Sequence, residues 1–148
     1  MSGSRNESNI MKTIGLLLNK IHDQTAPLAG EFIRKIIERS DFQICIFSNK
    51  TMNLSDIDAC MMSVGTIVNF TGDIVCFNSA DALLCLESNR DINIKYCLHE
   101  QTVENLVRLL PYHKRVEFVA VSEDYKKYTH GLIEDEIKTV SEYLNEKR

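Results

Sequence analysis

Five short apolar runs, each closed by polar residues and separated by segments of helical spacing, constrain this chain more than any other feature. The pattern is clearest over residues 72–123, which read GDIVCFNS, ADALLCLESN, RDINIKYCLHE, QTVENLVRLLPYHK and RVEFVAVSE. The apolar runs stop at Asn78-Ser79, His99-Glu100 and Ser122-Glu123. Continuous apolar strands buried on both faces are the mark of a parallel sheet. Polar residues at their ends are where the chain turns, and in open α/β sheets ligands bind outside the carboxyl ends of the strands.

The rest of the chain extends the alternation. Residues 13–20, TIGLLLNK, have the length of a first buried strand. A loop around residues 22–30 then opens a helix, with Pro27 close to its first position, where a missing N–H costs nothing. Leu28, Phe32, Ile33, Ile36 and Ile37 recur at helical spacing opposite Glu31, Arg34, Lys35, Glu38 and Arg39. Residues 42–47, FQICIF, form the second strand. A helix is expected from Asp56, capped by Ser55, with Ile57, Cys60, Met61, Val64, Ile67 and Val68 on one stripe and Thr71-Gly72 as its stop. Strands follow at 73–77, 92–98 and 116–121. Between them lie helices at 80–87 and at Val103, Leu106, Val107 and Leu110, the latter ended by Pro111. Ser122 caps a short helix with Glu123 and Asp124 first, Lys126, Lys127 and His130 last, and Gly131 beyond. Ile133, Ile137, Val140 and Leu144 outline a C-terminal amphipathic helix. The expected fold is therefore a three-layer, Rossmann-like α/β domain with about five parallel strands over residues 12–148, preceded by a disordered tail at 1–11.

Composition removes several classes of function. The net charge of −4 comes without a basic block, which argues against nucleic acid. No stretch approaches the length of a membrane span, and the polar start has no signal core. The five cysteines contain no CxxC pair, and Cys45, Cys76 and Cys97 fall inside strands, where a thiol packs as a small hydrophobe; no metal site is expected. Without a signal peptide, the Asn-x-Ser/Thr matches at Asn6, Asn49, Asn53 and Asn69 are chance occurrences. The expected compartment is the cytoplasm, free or at the membrane surface.

Three places can carry chemistry. Ala29-Gly30 near the first helix start offers small residues where backbone N–H groups bind phosphate, although neither GxGxxG nor a P-loop is present. His99-Glu100 at a strand end offers a proton acceptor and a carboxylate. Ser122 lies at the next strand end, where a helix cap accounts for it equally well. Ser48 and Ser79 lack a GxSxG elbow. Asp23 is followed two residues on by Thr25, so the paired acids of haloacid-dehalogenase-like enzymes are missing.

Together the segments GDIVCFNSADALLCLES, INIKYCLHE and LLPYHKRVEFVAVSEDYKKY, with LAGE before FQICIFS, resemble the N-terminal half of glycosyltransferases of the GT-B fold, family 4. The likeness covers roughly residues 12–128. It implies transfer of a sugar from a nucleotide-sugar donor to an acceptor hydroxyl of a glycan or lipid, without a metal or other cofactor. It implies catalytic roles for His99 and Glu100, contact of Ala29 and Gly30 with the donor phosphates, and a secondary cleft position for Ser122. Two departures matter: Ala29 replaces the first glycine of the family's pair, and the family's donor-binding second domain has no counterpart in the sequence. Glu134 and Glu142 have the Glu-x7-Glu spacing of that domain without its Pro and small-residue context. The resemblance thus implies a truncated or split enzyme, inactive without a second chain carrying the donor domain. The alternative is a non-catalytic α/β interaction module.

Overall fold

The computed structural model describes residues 12–19, 26–39, 41–49, 59–134 and 136–147. The expected tail at 1–11, the loop residues Asp23, Gln24 and Thr25, and the expected cap at Ser55 with Asp56 lie outside them. The strands are β1 (Lys12–Leu17), β2 (Phe42–Phe47), β3 (Ala59–Met62), β4 (Gly72–Cys76), β5 (Ile92–Cys97), β6 (Val116–Ala120) and β7 (Lys138–Thr139). The α-helices are α1 (Ala26–Ile37), α2 (Ser79–Ser88), α3 (Val103–Val107) and α4 (Val140–Lys147). Short 3₁₀ segments occupy Val64–Asn69, Leu110–Tyr112 and Glu123–Thr129.

All strand pairs are parallel, in the order β3-β2-β1-β4-β5-β6-β7. Apolar cores fill both faces. On one, α1 and α4 cover Ile14, Leu16, Val75, Phe77 and Val119. On the other, α2 and the 3₁₀ segment Val64–Asn69 cover Leu17, Phe47, Ile74, Tyr96 and Phe118. This is a three-layer, Rossmann-like α/β fold. The chain builds outward from β1 in one direction, returns, and builds outward from β4 in the other. The carboxyl ends of β1 and β4 are therefore its topological switch point.

The sheet has seven strands rather than about five, and the two additions are informative. Residues 59–62 pair with β2 as an edge strand, Ile44 opposite Ala59 and Phe47 opposite Met62, where a helix was expected. Cys60, Met61, Val64 and Ile67 have helical spacing by coincidence: Cys60 and Met61 are exposed on β3, and Val64 and Ile67 are buried from a separate 3₁₀ turn. At the other edge β7 is two residues long, below what periodicity can register. It takes the place of the first part of the expected C-terminal helix, which begins only at Val140. Thr139 and Glu142 start that helix with a reciprocal cap: Glu142 Oε1 accepts from Thr139 N at 3.1 Å, and Glu142 N donates to Thr139 Oγ1 at 3.3 Å. The bond from Thr139 N, with a second from the Thr139 hydroxyl at 3.0 Å, holds the Glu142 carboxyl below its usual range. They explain this glutamate without reference to a donor site.

Smaller corrections have equally local causes. Pro111 lies inside the 3₁₀ segment Leu110–Tyr112 rather than ending a helix, since a proline near the start of a turn sacrifices no hydrogen bond. Ile37 is 49% exposed because it is the last residue of α1, one turn beyond the buried Ile33. Cys45, Cys76 and Cys97 are buried in their strands as expected, joined by Cys85, while Cys60 is exposed on the edge. Burial, with Cys60 alongside, pushes the Cys45 thiol up to about 11. Among the described residues no helix is long and apolar enough to cross a membrane.

The entry to β4 hangs on one buried amide. Asn89 Nδ2 donates to the carbonyls of Ile67 at 2.8 Å and Phe70 at 2.7 Å, and its Oδ1 accepts from Asp91 N at 2.8 Å. It thereby ties the 3₁₀ segment before β4 to the turn before β5. Removing a buried partner strands these groups at about 1–3 kcal/mol. Asn89→Ala should lower the stability read from denaturant unfolding by roughly 2 kcal/mol with an unchanged slope; a loss within measurement error would mean that the turn holds itself.

Candidate functional site

Over the carboxyl ends of the central strands lies a cleft of about 690 Å³. Three elements build it. The first turns of α1 contribute Pro27, Leu28 and Glu31. The loop after β5 contributes His99, Glu100, Gln101 and Thr102, and the 3₁₀ segment after β6 contributes Tyr125 and Tyr128. A 3₁₀ segment has three residues per turn, so Tyr125 and Tyr128 share one side. Their rings meet edge to face, with centroids 5.6 Å apart.

The loop after β5 is held from two directions. From the core, the buried Tyr96 hydroxyl donates to Gln101 Oε1. Burial raises this phenol far above its ordinary range, so it stays a neutral donor. From the surface, His130 Nε2 donates to the Gln101 carbonyl at 3.1 Å. His130 does so from a left-handed conformation, φ 54°, that ends the 3₁₀ segment. The Tyr96–Gln101 and His130–Gln101 bonds thus link β5, its loop and the tyrosine-bearing segment.

This arrangement fixes the chemistry of His99. Its Nδ1 lies 2.9 Å from the Glu100 carbonyl oxygen, which can only accept, so Nδ1 carries the proton. In the neutral ring Nε2 is then a bare acceptor. The nearest hydroxyl, that of Tyr96 at 3.5 Å, has committed its single proton to Gln101. His99 Nε2 is therefore set up to take a proton in a half-buried position, with the Tyr96 oxygen beside it to receive the resulting N–H.

The cleft is acidic and aromatic. Glu31 and Glu100 supply carboxylates, and among the described residues no Lys or Arg lines it. Burial first, then the Glu31 carboxylate, raises the Tyr125 phenol, which puts α1 and the tyrosine segment in electrostatic contact across the cleft.

Of the residues singled out in the sequence, His99 and Glu100 line this cleft together. Ala29 is 4% exposed and packs its methyl into the core beneath α1. Gly30 is exposed, and a Cβ there would meet nothing within 4 Å, so packing does not demand glycine. It is the fifth residue of α1, one past the four whose N–H groups lack helical acceptors. Ser122 precedes the 3₁₀ segment Glu123–Thr129, with its carbonyl accepting from Tyr125 N at 3.1 Å and no capping bond from its hydroxyl; it is not among the lining residues. Glu31, Gln101, Tyr125 and Tyr128 were not anticipated. The Tyr-x-x-Tyr spacing directly after a strand end was the available signal for two of them.

Neither known protein families, nor characterised proteins, nor solved structures offer a match to this chain. Its chemistry must be read from its own geometry. Among the described residues no group of three or more His, Cys, Asp or Glu is arranged to hold a metal ion.

The Tyr96–Gln101 bond can be tested on its own. Tyr96→Phe should cost about 1–2 kcal/mol of stability. It should also broaden or shift the His99 imidazole NMR signals, as the loop loses its anchor. An unperturbed His99 spectrum would show that the loop is held by other contacts.

Proposed function

We propose that this chain is a glycosyltransferase-like domain whose cleft takes the acceptor in sugar transfer and presents its hydroxyl to His99. The observation that carries this reading is the cleft itself: a bare imidazole nitrogen among two carboxylates, a glutamine, a threonine and a pair of tyrosines, with no Lys or Arg among the described residues that line it. Such a lining suits a neutral, many-hydroxylated ligand. Aromatic faces cover the apolar faces of a sugar ring, and carboxylates and amides accept from its hydroxyls. It suits a pyrophosphate poorly, since none of the described lining residues is a Lys or Arg to balance the charge. The nucleotide part of a donor then belongs to a second domain or chain, as the resemblance implies, and Gly30 would contact it only as the exposed flank of α1.

In this reading His99 Nε2 withdraws the acceptor proton as the hydroxyl oxygen bonds to the sugar's anomeric carbon. The bond from that carbon to the donor's phosphate oxygen breaks, and the phosphate leaves as an anion. Glu100 accepts a neighbouring acceptor hydroxyl and orients it.

A second reading, a non-catalytic interaction module, has one observation in its favour. Val103, Val107 and Tyr112 are 45%, 46% and 43% exposed on the segment that follows the cleft loop, and exposed apolar groups of this kind mark contact surfaces.

Saturation-transfer NMR on the full chain separates the two. The sugar-transfer reading predicts binding of neutral oligosaccharides, weakened about three- to tenfold by Tyr125→Ala, and no binding of a nucleoside diphosphate. Nucleoside diphosphate binding without oligosaccharide binding would overturn the acceptor assignment.

A further inference from the structure

A second concavity, of about 140 Å³, opens at the other end of the sheet, between the amino ends of β5 and β6. Among the described residues its lining includes Arg90, Lys95, Lys114 and Arg115 against a single carboxylate, Glu117. This concentration of positive charge stands out in a chain whose net charge is −4. Two of the four cations are built into the fold. Arg115 donates to the Leu86 carbonyl at 3.2 Å and the Asn89 carbonyl at 2.9 Å, which fixes the plane of its guanidinium. The Lys95 side chain is only 9% exposed, and its ammonium pairs with Glu117 at 2.6 Å. Arg90 and Lys114 are exposed at the rim.

The donor supply exceeds the demand inside the protein. An ammonium has three N–H donors and a guanidinium five. Glu117 takes one from Lys95, and the two carbonyls take one each from the terminal nitrogens of Arg115. The neighbouring Asp91 side chain does not line the concavity. The Glu117 side chain is 66% exposed, so water is available to replace Lys95 as its partner if an anion competes. At about 30 Å³ per water in the liquid, 140 Å³ holds roughly five non-hydrogen atoms, the count of a phosphate or sulfate ion.

We propose that this concavity binds a phosphate-like oxyanion, either the free ion or a phosphomonoester. Lys95 and Arg115 border it as the two partly buried cations, and Arg90 and Lys114 as the two exposed ones. The site is separate from the cleft at the carboxyl ends and does not depend on what that cleft binds. A rigid guanidinium with a pre-placed ammonium is the usual pairing for such an anion.

The test is a titration of the full chain with inorganic phosphate, and separately with phosphoserine, at constant ionic strength in a buffer free of other oxyanions, followed by amide chemical shifts. Saturable shifts confined to residues 90–95 and 114–117 are expected. Arg90→Ala and Lys114→Ala, both exposed positions that the fold does not need, should each weaken binding about tenfold. Tighter phosphate binding identifies the free ion as the ligand, and tighter phosphoserine binding a monoester; either supports the site. Shifts that grow without saturating, or saturable binding undiminished in the Arg90→Ala/Lys114→Ala double variant, would overturn it.

Discussion

The close approach at Gly15 is the constraint on which the rest of the structure depends. β1 lies at the centre of the sheet, hydrogen-bonded to β2 on one side and β4 on the other. A side chain at Gly15 would lie 2.9 Å from Ile74 Cγ1, 3.1 Å from Phe70 Cζ and 3.2 Å from Phe47 Cε2. Only glycine lets these three apolar groups close over the β1–β4 seam, and that seam is where the strand order reverses. The reversal sends α1 and the β5 and β6 loops apart at the carboxyl ends, and the cleft is the space between them. The site is thus a consequence of topology, and the side chains within it supply the chemistry.

Around the seam, polar groups set the loops. Asn78 Oδ1 caps α2 by accepting from Asp81 N at 2.8 Å, directly where β4 ends. At the other end of that helix Arg115 donates to the Leu86 and Asn89 carbonyls, and Asn89 Nδ2 donates to the carbonyls of Ile67 and Phe70 before β4. Tyr143 donates to the buried Asp73 carboxylate at 2.6 Å, linking α4 to β4 across 70 residues of chain. These bonds are few and buried, in a medium where an unpaired polar group is costly.

How much of this was readable from residues alone follows from how each signal arises. β1, β2, β4, β5 and β6 announce themselves because both their faces are buried, which forces continuous apolar runs. β3 does not, because this edge strand leaves the consecutive Cys60, Met61 and Met62 exposed, so neither face demands an alternating or continuous apolar pattern; their spacing then fits a helix as well as a strand. His99 and Glu100 stood out because polar residues interrupt an apolar run at a strand end. Glu31 did not, because its position on the polar face of α1 is what any solvated helix shows. Tyr125 and Tyr128 were absorbed into a helix reading, and only the 3₁₀ geometry and the fold bring them opposite Glu31. Ala29-Gly30 shows the reverse failure. The small residues were visible, but one packs inward and the other lies one residue too deep in the helix to offer a free N–H.

In the proposed sugar-transfer reading, the cleft holds a sugar ring against Tyr125 and Tyr128 with a hydroxyl on His99 Nε2. A crystal structure of the full chain grown with a saturating neutral oligosaccharide tests it most directly. The expected result is a ring stacked on the tyrosine pair and a hydroxyl oxygen within about 3 Å of Nε2, the ordinary hydrogen-bond distance. An empty cleft at saturating ligand, or a sugar bound elsewhere on the surface, would contradict it.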